Sequence, residues 1–269
     1  MENLNEYLSL RQFSAGAGWV NRLETSINGY IQRGTIITPA DIEIARQYCK
    51  GEIIEHQLSG PDDWMLAIQP FEDVRFLFKY THNDEFGSAL NFYIHQRARG
   101  QVATEDLAFL LDFYLQILGQ RNLLFTLISI PPERHVSIHL FPKMEISIEE
   151  IERIYFALHT ILRELNTKTK LDRAAAFTRA TLQEELGVES IHRTLMVTPT
   201  LNITLRFLFS INELSLIGIT ASDTLVYFPS NITLYLFASY ANAFARSVGV
   251  QYRVDFFGLC HYFHVNKLE

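Results

Sequence analysis

Apolar and polar positions alternate with several different periods along the chain, and each change of period marks a predicted element. Trp19, Val20, Leu23, Ile27, Tyr30 and Ile31 recur at helical spacing, downstream of interruptions at Gly16 and Gly18. A second helix is predicted over 39–50: Thr38 can cap it and Pro39 suits its first position. Asp41 and Glu43 complement the dipole there, and Gly51 closes the helix. These two form a helical N-terminal segment, 1–60. From Asp63 the period falls to two. Val74, Phe76, Phe78 and Tyr80 alternate with Arg75, Leu77 and Lys79; after a turn at 82–87, Leu90, Phe92 and Ile94 alternate with Asn91, Tyr93 and His95. A helix is expected over 104–118, with Glu105 and Asp106 in its first turn and Gly119 past its end.

A second hairpin is predicted from 123–130 and 134–141, turned at Pro131 and Pro132. Ser147 and Glu150 then form a capping box before Ile151, Ile154, Tyr155, Leu158, Ile161, Leu162 and Leu165 at helical spacing. A further helix carrying Ala174, Ala175, Leu182 and Leu186 is expected to run to Gly187. Strand alternation returns at 202–209, a hairpin is read at 214–219 and 224–228, and a helix over 231–248 ends at Gly249, with 231–235 reading equally as the start of a strand. Strands at 251–257 and 260–265 finish the chain. The sum predicts an α+β fold in which helices cover the apolar face of a large antiparallel sheet, either open or closed into a barrel, with an approximate internal duplication. Short connections favour a single domain, 1–267. Leu268 and Glu269 match a dipeptide common before purification tags and are left out of the fold reading.

Composition narrows the function classes. With 48% apolar and 13% aromatic residues in 269, the chain has ample material for a core. A net charge of -7 argues against non-specific nucleic-acid binding, which needs a basic surface. Cys49 and Cys260 stand far apart without metal-ligand spacing, so neither a disulfide framework nor a zinc site is indicated, and a reducing cytoplasm is the expected location. The N-terminus has no secretory pattern, and no apolar run reaches the roughly 20 residues that span a bilayer, so no membrane partner is expected.

Candidate chemistry concentrates on the polar side of the strands. In the segment His135 to Phe141, period two puts His135, Ser137 and His139 on one face and Val136, Ile138 and Leu140 on the other. The same face elsewhere carries Arg75, Lys79, Asn91, Tyr93, His95, Asn202, Thr204, Arg206 and Arg253. Such a face is either an ordinary solvated surface or, inside a closed barrel, a cationic lining able to hold a phosphorylated small molecule. No glycine-rich phosphate loop, nucleophile elbow, zinc-protease motif or dinucleotide fingerprint is present, and the residues name no cofactor.

Repeated hairpin-then-helix units, with strand ends Ser137 to Pro142 and Thr224 to Pro229 leading into helices, resemble the ABBA barrel of soluble aromatic prenyltransferases. The resemblance covers roughly residues 63–267. It implies that Arg75, Lys79, Arg206 and Arg253 hold an isoprenoid diphosphate, that Tyr93 and Tyr227 shield an allylic cation, and that an aromatic or peptide acceptor is alkylated. The chain departs from it in having Ser137 and His139 where such enzymes often place Lys and Tyr. The segment His135-Val-Ser137 also resembles one copy of the His-x-Ser/Thr pair of two-histidine phosphoesterases, with His192-Arg-Thr194 or His264-Val-Asn266 as the second copy. That resemblance implies a histidine general base and general acid with hydroxyls on the phosphate. The third expectation is a non-enzymatic ligand-binding or interaction protein, favoured if the basic and histidine residues do not converge.

Overall fold

The first long helix, α1 (Gly16–Arg33), starts on a glycine that close packing requires: a Cβ there would run into the Leu10 carbonyl. Gly16 and Gly18 are thus inside the helix and do not interrupt it. The structure is a computed structural model that describes residues 3–55, 58, 60–83, 85, 87–131, 135–137, 156–163, 165, 167–186, 191–210, 215–250, 252–254 and 265–267. Helix α1 ends at Gly34, whose φ of 62° lies in the left-handed region that costs glycine nothing. The Asp41 carboxylate accepts from the Thr38 amide and hydroxyl, at 3.0 and 2.7 Å, and a 3-10 turn beginning at Pro39 leads into α2 (Ile42–Tyr48).

The chain divides into two compact units, Met1–Pro131 with Pro199–Leu201, and Pro132–Thr198 with Asn202–Glu269. In the first, strands β1 (Tyr7–Leu8), β2 (Glu52–Ile53), β3 (Trp64–Phe71), β4 (Val74–Asn83) and β5 (Gly87–His95) form an antiparallel sheet in the order β1-β5-β4-β3-β2. Helices α3 (Thr104–Gly119) and α4 (Arg121–Ser129) follow. Strand β4 alternates as its sequence predicts. Phe76 and Phe78 are fully buried, with the Phe76 ring 6.3 Å from that of Tyr114 on α3, while Arg75 and Lys79 point to the other face and are half-buried. Helix α1 packs on α3, where Trp19 meets Phe109 edge-on at 4.8 Å.

Strand β3 reads as a continuous apolar run, Trp64 to Ile68, because both its faces are covered. Leu66 and Ile68 share the α3 side with Phe78 and Phe76, their cross-strand partners. Met65 and Ala67 belong to a second apolar cluster with Tyr7, Ile54 and Leu77, against which Leu4, Leu58 and Tyr93 pack. The face expected to be polar is therefore partly a second core in this unit.

In the second unit, β6 (His135–Ser137), β7 (Thr181–Leu186), β8 (Ile191–Val197), β9 (Leu205–Ser210) and β10 (Ser215–Ser222) pair antiparallel in the order β6-β10-β9-β8-β7. Helical residues 156–162, here α5, and α6 (Lys168–Thr178) precede this meander, and α7 (Ser230–Ser247) follows it and packs on α6. A ribbon of β11 (Tyr252–Val254) and β12 (Val265–Lys267) completes the unit. The two units share one topology: an edge strand, helices, a four-stranded meander whose last strand pairs with that edge strand, a 3-10 turn and a long helix.

The α+β class stands, with two five-stranded antiparallel sheets in place of one large one; no closed barrel is found among the described residues. Three local expectations are corrected. Residues 121–129 are helix and not the first arm of a hairpin. Leu124 and Leu127 are buried there while Phe125 and Ile128 are about 40% exposed, a single buried stripe at helical spacing that a mostly apolar run conceals. The strand His135–Ser137 accordingly pairs with β10. Leu182 and Leu186 lie on β7, because α6 stops at Arg179 in a left-handed conformation, φ 57°. Residues Asp223–Tyr227 form a 3-10 turn whose Leu225 carbonyl accepts from the Thr233 hydroxyl, so 224–228 is no hairpin arm. The capping box at Ser147 and Glu150 lies outside the described residues.

Candidate functional site

The residues picked out as a phosphate site are divided between the units. Arg75, Lys79, Tyr93 and His95 belong to the first; His135, Ser137, His139, Arg206, Tyr227 and Arg253 belong to the second. His139 lies outside the described residues, as do the side chains of His135, Ser137 and Arg253.

In the first unit the register explains what these groups do. Tyr7 is opposite His95 on β5, and Arg75 shares that row, because Phe76 pairs with Ile94. The Arg75 Nε donates to the Tyr7 hydroxyl oxygen at 3.0 Å, and its terminal nitrogen meets the Glu52 carboxylate at 2.7 Å. His95 donates from Nε2 to Glu6 at 2.9 Å, while its Nδ1 accepts from the Arg97 amide at 3.2 Å. That amide bond assigns the ring proton to Nε2. The Tyr7 and His95 rings meet edge-on, 5.2 Å between centroids. Glu6 is held below the usual carboxylate range, chiefly by the His95 hydrogen bond. Glu6, His95, Tyr7, Arg75 and Glu52 are thus linked in one polar chain, Tyr7 and His95 through their rings and Glu52 reaching in from the next row. Tyr93, opposite Leu77 in the next row, packs on the apolar cluster, and Lys79 stands one row further on, opposite Met65 and Asn91.

The acidic partners Glu6 and Glu52 escaped the sequence reading, because they sit in or beside two-residue edge strands too short to show a period. A different signal was available for the second unit. Val74-Arg75-Phe76-Leu77-Phe78 is repeated almost letter for letter as Leu205-Arg206-Phe207-Leu208-Phe209, and these segments occupy the same strand of the two matching sheets, β4 and β9. The equivalence extends to packing. Phe76 lies against Tyr114 of α3, and Phe207 lies against Phe237 and Phe244 of α7.

Around Arg206 the row reads Thr181, Met196, Arg206, Thr220, Ser137, and the next row reads Gln183, Thr194, Leu208, Gly218. Arg206 is half-buried, and its Nε is buried without a hydrogen-bond partner. Tyr227, at the end of the 3-10 turn, is 50% exposed.

The two His-x-Ser/Thr segments lie in this one sheet. His135 on β6 is level with Ser222, whose amide bonds the Thr204 carbonyl, whereas His192 on β8 is level with Ser210. Strands β10 and β9 intervene, so the backbone positions of the two histidines stand about 14 Å apart across the sheet and about 20 Å apart along it. The structure does not bring this pair onto one phosphate. The alternative copy, at His264, begins outside the described residues.

Among the described residues no three His, Cys, Asp or Glu side chains are grouped to hold a metal ion, and no helix is long and apolar enough to cross a membrane. Comparison with family models, with curated proteins and with solved structures gives no match.

Proposed function

We propose that the protein is a non-enzymatic binding protein built from two copies of one sheet-and-helix module. The observation that carries this reading is the internal commitment of Arg75 and His95. A diphosphate cage needs cations whose donors are free to turn to the ligand, and a general base needs an imidazole lone pair turned to substrate. Here the Arg75 donors serve Glu52 and Tyr7, and both His95 nitrogens are engaged by Glu6 and the Arg97 amide. The arrangement commits these two groups to neighbours within the first unit.

Two assays test the reading against transfer and hydrolysis. Calorimetric titration with geranyl diphosphate is expected to give no saturable heat at millimolar concentration, and bis(p-nitrophenyl) phosphate is expected to remain intact. Saturable binding lost in Arg75→Gln would restore the prenyltransferase reading. Hydrolysis lost in His135→Ala would restore the phosphoesterase reading.

A further inference from the structure

The repeated pentapeptide allows the surroundings of Arg75 and Arg206 to be compared position by position. Two residues after each arginine stands a leucine, Leu77 or Leu208, and the row through it fixes the neighbours. In the first unit that row is Glu52, Ala67, Leu77; in the second it is Gln183, Thr194, Leu208. Gln183 is thus the register equivalent of Glu52. The residues beside each arginine on its own row change in the same sense: His95 and Tyr7 in the first unit correspond to Thr220 and Ser137 in the second. The arginine is kept, and its carboxylate is replaced by a neutral amide of the same length.

The consequence is electrostatic. Arg75 gives a terminal nitrogen to Glu52 at 2.7 Å and its Nε to the Tyr7 hydroxyl, whereas Arg206, at the same place in its sheet, has a buried Nε without a hydrogen-bond partner among the described residues, on a residue whose side chain is still partly open to solvent. A buried donor on a permanent cation is costly to leave unpaired, and planar guanidinium recognises a carboxylate through two parallel donors. Gln183, in the register position of Glu52, is exposed.

We propose that Arg206 is the anion-binding residue of the second unit, and that it takes from a partner molecule the carboxylate that Glu52 supplies internally to Arg75. The inference rests on the binding-protein reading and gives it a ligand class: a carboxylate, carried either by a small acid or by a Glu or Asp side chain of a peptide.

The test reads the Arg206 Nε–H signal by NMR in the full chain, assigned by its loss in Arg206→Gln or, should that variant not fold, in Arg206→Lys. Glutarate, a hexapeptide with one central Glu and inorganic phosphate are titrated separately. The signal is expected to shift saturably with glutarate at roughly millimolar concentration, and at least about tenfold lower concentration of the peptide is expected to suffice if the natural source is a side chain. Gln183→Glu, which copies the first unit, is expected to move the signal before any addition and to weaken both carboxylates about tenfold or more. The proposal is overturned by an Arg206 signal indifferent to both carboxylates, by responses unchanged in Gln183→Glu, or by tighter binding of phosphate than of either carboxylate. These outcomes are separable from the parent reading: turnover of a diphosphate or phosphodiester sinks the latter and leaves the Arg206 response as it is.

Discussion

The Arg121 guanidinium grips the Asp41 carboxylate in a two-pronged contact, 2.6 Å from Nε and 3.0 Å from a terminal nitrogen. It ties the start of α4 to the capping turn before α2, alongside the bonds from the Arg121 amide to the Thr35 carbonyl and from the Ile37 amide to the Leu118 carbonyl. Only 4% of the Asp41 side chain is exposed, against 49% of Arg121, so the acid depends on its partner more than the base does. The Arg121 hydrogen bond, with help from Thr38, holds the Asp41 pKa at about 2. Because the folded value lies below the unfolded value of about 3.9, the pair contributes fully above about pH 5 and its contribution is lost as pH falls towards 2. Urea unfolding should therefore show wild type more stable than Asp41→Asn at pH 7 by about 2 kcal/mol, with the gap closing below about pH 4. A gap that stays constant from pH 7 to pH 2.5 would remove the ion pair as its source. Arg121→Ala, which strands the buried acid, should cost about 2 kcal/mol or more at pH 7.

Gly119, the last residue of α3, packs directly against Tyr30 of α1. A Cβ there would collide with the Tyr30 ring, which burial and the nearby Asp112 charge push to a pKa of about 12. The Gly119 carbonyl also accepts from the Thr35 hydroxyl at 2.7 Å, so the backbone has little room to retreat. Gly119→Ala is expected to destabilise by about 1–3 kcal/mol through overpacking. Since the cause is one ring, most of that cost should vanish when the same substitution is made in Tyr30→Ala, and a cost that survives in the double variant would point to the backbone instead.

Cys49 closes α2 with its thiol fully enclosed, 1% exposed, and burial raises its pKa far above the ordinary thiol value. Thiolate is the reacting species in alkylation, so both access and ionisation protect it. Iodoacetamide labelling of the native protein, followed by mass spectrometry of the peptide carrying Cys49, should find it unmodified until denaturant is added. Rapid native labelling at this position would contradict the packing around α2.

How much of this was legible in the sequence depends on whether an element is wet on one side. Strand β5 and helix α1 each bury one face, and β4 buries one face fully and keeps Arg75 and Lys79 on the other, so their period survives in the order of residues, and the prediction and structure agree within a few positions. Strand β3 and helix α4 are apolar runs without a readable period, β3 because both its faces are buried and α4 because Phe125 and Ile128 keep large apolar side chains on its exposed side. The candidate site failed in a related way. Period two placed Arg75 and His95 on one face correctly, but Glu6 and Glu52 reach them from segments distant in the chain, and only the folded register shows that the cations are already neutralised. The pentapeptide shared by β4 and β9 was present in the letters all along; aligning it first would have revealed that Glu52 has a glutamine counterpart.

That pentapeptide also makes an energetic prediction. Phe76 and Phe207 both have 0% exposure, and each stands one residue after its arginine, facing the long helix that follows its meander. The Phe207 ring is 5.0 Å from Phe244 and 6.1 Å from Phe237, both edge-on; Phe76 is 6.3 Å from Tyr114 and 6.4 Å from Phe78. Truncation to alanine removes the burial energy of a whole ring and leaves a cavity bounded by rigid aromatic neighbours, which cannot collapse into it. Phe76→Ala and Phe207→Ala should each cost about 3–5 kcal/mol in equilibrium unfolding, and the leucine variants, which refill part of the space, clearly less. Arg75→Gln and Arg206→Gln, one position away, separate packing from charge. The first breaks an ion pair with a 64% exposed glutamate and a tyrosine hydroxyl bond and should cost about 1 kcal/mol, whereas the second removes a guanidinium whose buried Nε has no hydrogen-bond partner among the described residues and should be neutral or stabilising. Equal losses at the two arginines would mean that the second unit neutralises Arg206 by a route other than the one its register implies.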